Sequence, residues 1–278
     1  MRVVGILLGV MLCVAAGCTR AMAQERTLGV AYYDVEALYD TIPSQFYDDS
    51  DYTPRGAMRW SGERYERKLR HTAAVIDSMA MPLVALYGVE SEQVVRDLVA
   101  SCDNLYSYVH RTSDFNRGED FALLYYGDWF VPERVRQYSS ALCIEGRVVG
   151  GGAVAIIVHH RSPDLEYIVR QVRKANGQCR LIVAGDSYGV DFSRLGVADK
   201  CLAAERKGLG NRVWRDRWQM SDRIASDISG RAECGVYIRH WLLTESGVPL
   251  PTYLRGRYVG GYSSRLPVYV YFDDFFVN

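Results

Sequence analysis

Near the end of the chain, Arg257-Tyr258-Val259-Gly260-Gly261-Tyr262-Ser263-Ser264-Arg265-Leu266-Pro267-Val268-Tyr269 leads into Val270-Tyr271-Phe272. The alternation from Val268 to Phe272 predicts a strand. With a second strand near Gly235 to His240 it is expected to close the second of two sheets. Working outward, four runs rich in Val, Ile, Leu and Tyr read as buried strands: Leu28 to Tyr33, Pro82 to Tyr87, Ala153 to Val158 and Leu181 to Asp186. They are expected side by side, with their C-terminal ends opening on one cleft. A helix begins at Ser61 and carries Tyr65, Leu69, Ala73, Ile76 and Met79 or Ala80 on one face. Its Arg64, Arg67, Lys68 and Arg70 are assigned to solvent. Further helices are expected near Val94 to Cys102 and Pro163 to Ala175, a strand from Leu105 to His110, and hairpin-like strands from Val131 to Val149. Residues 43 to 60 read as a polar loop and Gly196 to Arg217 as an irregular, locally basic one.

The 278 residues, 49% hydrophobic and 24% charged, are enough to bury one sizeable core. Lys plus Arg and Asp plus Glu each count 33, so the chain lacks the global positive field of a general nucleic-acid binder. Met1 to Ala23 combines Arg2, an apolar run from Val3 to Ala16 and a small-residue exit, the pattern of a secretory signal too short to span a membrane. Two processing readings compete. Ala21-Met22-Ala23 suits cleavage before Gln24, whereas Val14-Ala15-Ala16-Gly17-Cys18 suits acylation of Cys18. Either makes the protein exported: periplasmic or secreted in the first case, an outer-membrane or surface lipoprotein in the second. Residues 24 to 278 are expected to form a single domain, touching a membrane only through the lipid. Cys102, Cys143, Cys179, Cys201 and Cys234 then remain, without the paired spacing of a zinc site.

Several segments, in order, resemble the endonuclease/exonuclease/phosphatase family of DNase I-like metal-dependent phosphoesterases, most of all its bacterial exported branch. Tyr33-Asp34-Val35-Glu36-Ala37-Leu38-Tyr39-Asp40-Thr41 resembles the opening Tyr-Asn-Val-Glu-Asn-Leu-Phe-Asp-Thr. Arg117-Gly118-Glu119-Asp120-Phe121-Ala122-Leu123-Leu124-Tyr125 resembles Arg-Gly-Ile-Asp-Val-Ala-Leu-Leu-Tyr, and Trp218 to Ile224 resembles Trp-Gln-Met-Ile-Asp-Gln-Ile. The closing stretch resembles Gly-Gly-Tyr-Ser-Asp-His-Leu-Pro-Val. The resemblance implies an α/β fold: a DNase I-like four-layer sandwich of two mixed β-sheets packed together, with helices on the outer faces.

The resemblance also locates what has changed. Asp120, His160, Asp186 and Asp222 keep family residues. Asp34 replaces an Asn, Gly88 the Glu that anchors magnesium, Tyr188 the Asn that follows Asp186 in the motif, and Ser264 and Arg265 the Asp-His pair that drives hydrolysis. A guanidinium stays protonated and cannot act as a general base. The expectation is a catalytically degenerate member acting as a binding or envelope-associated module, with an anion-accepting cleft for a phosphate-bearing or other anionic ligand and no cofactor. Within it, Arg265 either accepts an anion or pairs with Asp186 or Asp222. One alternative is an active phosphoesterase or nuclease holding Mg²⁺ through Asp34, Glu90 and Asp186. The other is a structural or partner-binding surface protein.

Overall fold

The computed structural model describes residues 26–273, 275 and 276. The stretch expected to be a signal, with Cys18 as the candidate for acylation, lies outside these residues. The elements in chain order are β1 (Leu28–Leu38), α1 (Gly62–Met79), β2 (Leu83–Val89), α2 (Glu92–Ala100), β3 (Ser107–His110), β4 (Asp120–Tyr125), β5 (Phe130–Tyr138), β6 (Ala141–Val148), β7 (Gly152–His160), α3 (Leu165–Ala175) and β8 (Arg180–Asp186). They continue with β9 (Ala198–Asp199), α4 (Leu202–Arg206), β10 (Arg212–Trp214), β11 (Arg217–Gln219), β12 (Asp222–Ser226), β13 (Ala232–Val236), β14 (Tyr253–Leu254), β15 (Arg257–Tyr258) and β16 (Val268–Phe272).

Two six-stranded mixed sheets form the centre, in the orders β13-β16-β1-β2-β4-β3 and β5-β6-β7-β8-β12-β9. They face each other through β2 and β4 against β7, and through β1 and β16 against β12. Every residue of β2 is buried, as expected of a strand covered on both faces. One core cluster joins the sheets' inner faces to α1 and α2, through Leu69, Ile76, Val94 and Leu98 among others. A second seats Leu165, Ile168, Val169 and Val172 of α3 on Ile157, Leu181 and Val183. The layers are therefore helix, sheet, sheet, helix, as the resemblance implied. Among the described residues no helix is long and apolar enough to cross a membrane.

Local chemistry sets the boundaries. Ser61 caps α1 by accepting from the Arg64 amide at 3.4 Å, and Ala80 ends the helix in the left-handed region at φ 50°. Trp60, fully buried, donates from Nε1 to the Tyr39 carbonyl at 2.8 Å and ties the polar loop to the end of β1. Gly185 permits the approach of β8 to β7, because a Cβ there would fall 1.9 Å from the His159 carbonyl oxygen.

The structure corrects several expectations. The four buried strands are two parallel neighbours, β1 with β2 and β7 with β8, one pair in each sheet. β13 and β16 extend the first of these sheets, beside β1. β3 starts at Ser107 because Leu105 is 92% exposed, and β13 ends at Val236, beyond which Ile238 faces solvent. The stretch from 196 to 217 contains β9, α4 and the β10-β11 hairpin. Lys68 is buried: its ammonium donates to Thr252 Oγ1 at 2.7 Å and to the Tyr262 carbonyl.

Candidate functional site

The C-terminal ends of β1, β7 and β8 and the start of β12 meet at one end of the packed sheets. Register does most of the placing. Asp186 lies opposite His160 in the parallel pairing of β8 with β7, and opposite Asp222 in the antiparallel pairing with β12. Asp34, near the end of β1, is brought in by the packing of β1 on β12. The loop before β16 delivers Arg265, pinned by Ser263, whose hydroxyl donates to the Asp34 carbonyl at 2.7 Å and accepts from the Arg265 amide at 3.1 Å.

The guanidinium of Arg265 addresses three carboxylates with three different nitrogens. Nε lies 3.1 Å from Asp34 Oδ2, Nη2 lies 2.9 Å from Asp186 Oδ2, and Nη1 bonds Asp222 Oδ1 and, at 3.1 Å, Ser221 Oγ. Its side chain is only 11% exposed, and those of Asp186 and Asp222 are 0% and 1% exposed. Asp186 also takes Arg161 Nε at 2.8 Å and the Tyr188 amide at 3.1 Å. Buried Asn211 donates to Asp222 Oδ2 at 2.6 Å and accepts from the Ser221 amide.

The charges settle accordingly. Burial pushes the Asp34 carboxyl up to about 7 against the pull of Arg265. Burial also raises Asp222, again opposed by Arg265. For Asp186 burial acts upward too, but Arg265, the Tyr188 amide and Arg161 outweigh it and hold the carboxyl below its ordinary value. Burial opposes the charge on Arg265, yet Asp222, Asp34 and Asp186 keep its proton more firmly than usual. His160 stacks on Tyr87 at 4.0 Å, and burial lowers it to about 4; His159, bonded to Ser187 Oγ at 3.2 Å, is lowered by burial to about 3. Both imidazoles are neutral at physiological pH. Tyr32, fully buried beside these carboxylates, has a hydroxyl without a hydrogen-bond partner among the described residues.

The structure thus brings Asp34, His160, Asp186, Asp222 and Arg265 together and leaves the other candidates outside. Glu90 does not substitute for the lost ligand: it accepts from the Asp40 amide at 2.7 Å and from the Tyr47 hydroxyl at 3.2 Å, and burial raises it to about 8. The cause is a bulge at Tyr87 and Val89, with Gly88 at φ 87°, which interrupts the regular alternation of side chains through residues 88 and 90. Asp120 holds the loop before β4, accepting from the Ser113 amide and hydroxyl and from Asn116. Tyr188 is 75% exposed and meets Asp186 only through its backbone, and Ser264 is exposed. Sequence reasoning missed Asn211, Ser263 and Tyr32 and gave Arg161 no role. Arg212 belonged to the locally basic stretch, which could grip a ligand but read more readily as a solvated loop; the structure places it at the start of β10.

Magnesium, which the resemblance implies, does not fit this donor set. The three carboxylates are already shared out on one guanidinium. A divalent ion would have to displace that guanidinium from the carboxylates it now pairs with, or sit beside it against its repulsion. Gly88 itself leaves little room for a side chain, since at φ 87° a Cβ there would lie 3.2 Å from the Ala37 amide nitrogen.

The sequence profile of the Endonuclease/Exonuclease/phosphatase family matches residues 29–181, more than half of the chain, and the protein belongs to that family. Solved structures share the fold. A family protein from Bacteroides thetaiotaomicron has a TM-score of 0.56 at 14% identity, covering 88% of this chain and 97% of its own. A mannosyl-6-phosphatase from the same organism has 0.52 at 13%, covering 87% and 98%. TDP2 from C. elegans has 0.57 at 14%, covering 88% and 75%. No curated protein matches the sequence.

Proposed function

We propose that this member of the family is catalytically degenerate and works as an exported binding or envelope-associated module whose cleft accepts a phosphate-bearing or other anionic ligand. The observation that carries the reading is the three-way pairing of Arg265, which puts a fixed monovalent cation among the carboxylates and a permanently protonated group at the family's histidine position. Hydrolysis by this constellation needs a metal to polarise the ester and a base to activate water, and neither role has an occupant suited to it.

Arginines support the anion. Arg161 is held in the left-handed region at φ 45°, with its side chain 48% exposed, and Arg212 forms a backbone bridge with Arg265. Arg212 Nε is buried without a hydrogen-bond partner among the described residues. Three guanidiniums face three aspartates, and Asp34 shares its proton near neutral pH. An incoming phosphate would find its free donors at the unbonded Arg212 Nε and the half-exposed Arg161 rather than in a net positive charge. Strain of the Arg161 kind, of order 1–3 kcal/mol, persists where surrounding structure enforces it, often at functional sites.

Calorimetric titration with inorganic phosphate and with mannose 6-phosphate, in chelator, tests the reading. The sugar phosphate is chosen because one structural neighbour is a mannosyl-6-phosphatase. Metal-independent binding is expected, weakened roughly 10- to 100-fold by Arg161→Ala or Arg212→Ala, the effect of losing a charge-assisted hydrogen bond. Binding that requires Mg²⁺, or no binding at millimolar ligand, contradicts it.

A further inference from the structure

On the flank of the sandwich, away from the carboxylates, two cysteines distant in sequence meet. Cys201 immediately precedes α4 and is fully buried; its sulfur accepts from the Ile224 amide at 3.5 Å. Cys234 lies on β13, opposite Val270 of β16, and is partly exposed. The two are packed on one another's elements: α4, which starts just after Cys201, contacts β13, and Cys234 packs against the core cluster that contains Cys201. They come from different sides of the fold: Cys201 follows β9 at the edge of one sheet, and β13 is the edge of the other.

We propose that Cys201 and Cys234 are a disulfide-forming pair that staples the two sheet edges together when the protein meets a disulfide donor. Exposure assigns the order of events. A thiolate at Cys234 attacks the donor's disulfide, forming a mixed disulfide and releasing one donor thiol. Cys201 then attacks the Cys234 sulfur and releases the second. One S–S bond forms in the protein and one is lost from the donor, two protons leave the protein thiols, and the donor takes the two electrons as a dithiol or two thiols.

The bond has a structural consequence. It closes a loop containing β10, β11 and β12, and so fixes one end of the segment from α4 to Asn211 and Arg212 on the cleft wall. By constraining the unfolded chain, a loop of this length is expected to raise Tm by about 5–10 °C.

The test uses the purified protein treated with glutathione disulfide, alkylated and digested with trypsin without reduction. The expected product joins peptide Cys201–Arg206 to peptide Ala232–Arg239, and native tryptic cleavage at Lys207 slows on oxidation. Cys102, Cys143 and Cys179 serve as internal controls and are expected to remain alkylated. Cys234→Ala is expected to abolish both the linked peptide and the oxidation-dependent rise in Tm. Because Cys201 is buried and Cys201→Ser could disturb folding, the argument rests on the Cys234 variant. Alkylation of both Cys201 and Cys234 after oxidation, or pairing of either with another cysteine, overturns the proposal.

Discussion

Arg265 and Lys68 are both buried cations, and the same C-terminal loop meets both, yet their surroundings differ completely. Arg265 faces three carboxylates. Among the described residues, the direct partners of Lys68 are a hydroxyl and a carbonyl, from Thr252 and Tyr262. The guanidinium is consequently held charged, whereas burial lowers the Lys68 ammonium to about 8, with Glu36 and Asp34 opposing from further away. Pairing with opposite charge, rather than burial alone, decides whether an interior cation keeps its proton. The cleft holds a fixed ion cluster, and the helix behind it holds a titratable anchor.

The largest effect expected from breaking this contrast is at Arg265. Arg265→Ala leaves Asp34, Asp186 and Asp222 crowded together without their shared partner, and chemical denaturation should show a loss of about 3–5 kcal/mol. Adding Mg²⁺ should restore part of the variant's Tm while leaving the wild-type value unchanged. An equal Mg²⁺ response in both proteins would show that the guanidinium does not occupy the cation's place. Gly88→Glu, the substitution that returns the family's metal anchor, is expected to cost about 1–3 kcal/mol by forcing a side chain into the left-handed region against Ala37. If it is tolerated without loss, the bulge in β2 is adjustable.

The Lys68 side of the comparison gives a smaller effect with a distinctive pH signature. Lys68→Met leaves the Tyr262 carbonyl and Thr252 hydroxyl without their donor, and should lower stability by about 1–2 kcal/mol near neutral pH. Since the folded-state pKa of Lys68 is depressed, the folded protein binds fewer protons than the unfolded chain between about 8 and the ordinary value of 10.5. Wild-type stability relative to the variant should therefore rise with pH through that window. A constant difference would mean that Lys68 titrates normally.

The smallest expected effect concerns His160, whose pKa is lowered by burial to about 4 from an ordinary 6.5. The folded protein again binds fewer protons, so this contribution is present above 6.5 and lost as pH falls toward 4. His160→Phe, which retains a ring to stack on Tyr87, should flatten that part of the stability profile. Asp34 acts oppositely in an overlapping range, because its raised pKa makes stability fall as pH rises toward about 7. The difference between variant and wild type isolates the histidine.

How much of this was legible depended on whether the determining contacts were local. The strands announced themselves as continuous apolar runs, and the aspartates at or near their ends were picked out by the resemblance to the family's motifs. The burial of Lys68 was not legible: it sits among Arg64, Arg67 and Arg70, and only the return of residues 252 to 262, far along the chain, removes it from water. Glu90 stood only as a possible ligand in the alternative reading, and its turn toward Asp40 and Tyr47 follows from a bulge that simple alternation does not anticipate. Arg265 was identified as a carboxylate partner, but its bond to Asp34 depends on the packing of one sheet against the other, which no periodicity encodes.

The central proposal is that the site kept two of the family's carboxylates, Asp186 and Asp222, while exchanging metal chemistry for a fixed guanidinium. The direct test is turnover of p-nitrophenyl phosphate and bis(p-nitrophenyl) phosphate by the purified wild-type protein with saturating Mg²⁺ or Mn²⁺. The predicted result is no hydrolysis above the rate without protein, and no change on Asp186→Ala. Metal-dependent hydrolysis that disappears in Asp186→Ala would contradict the account and require a metal site that displaces Arg265.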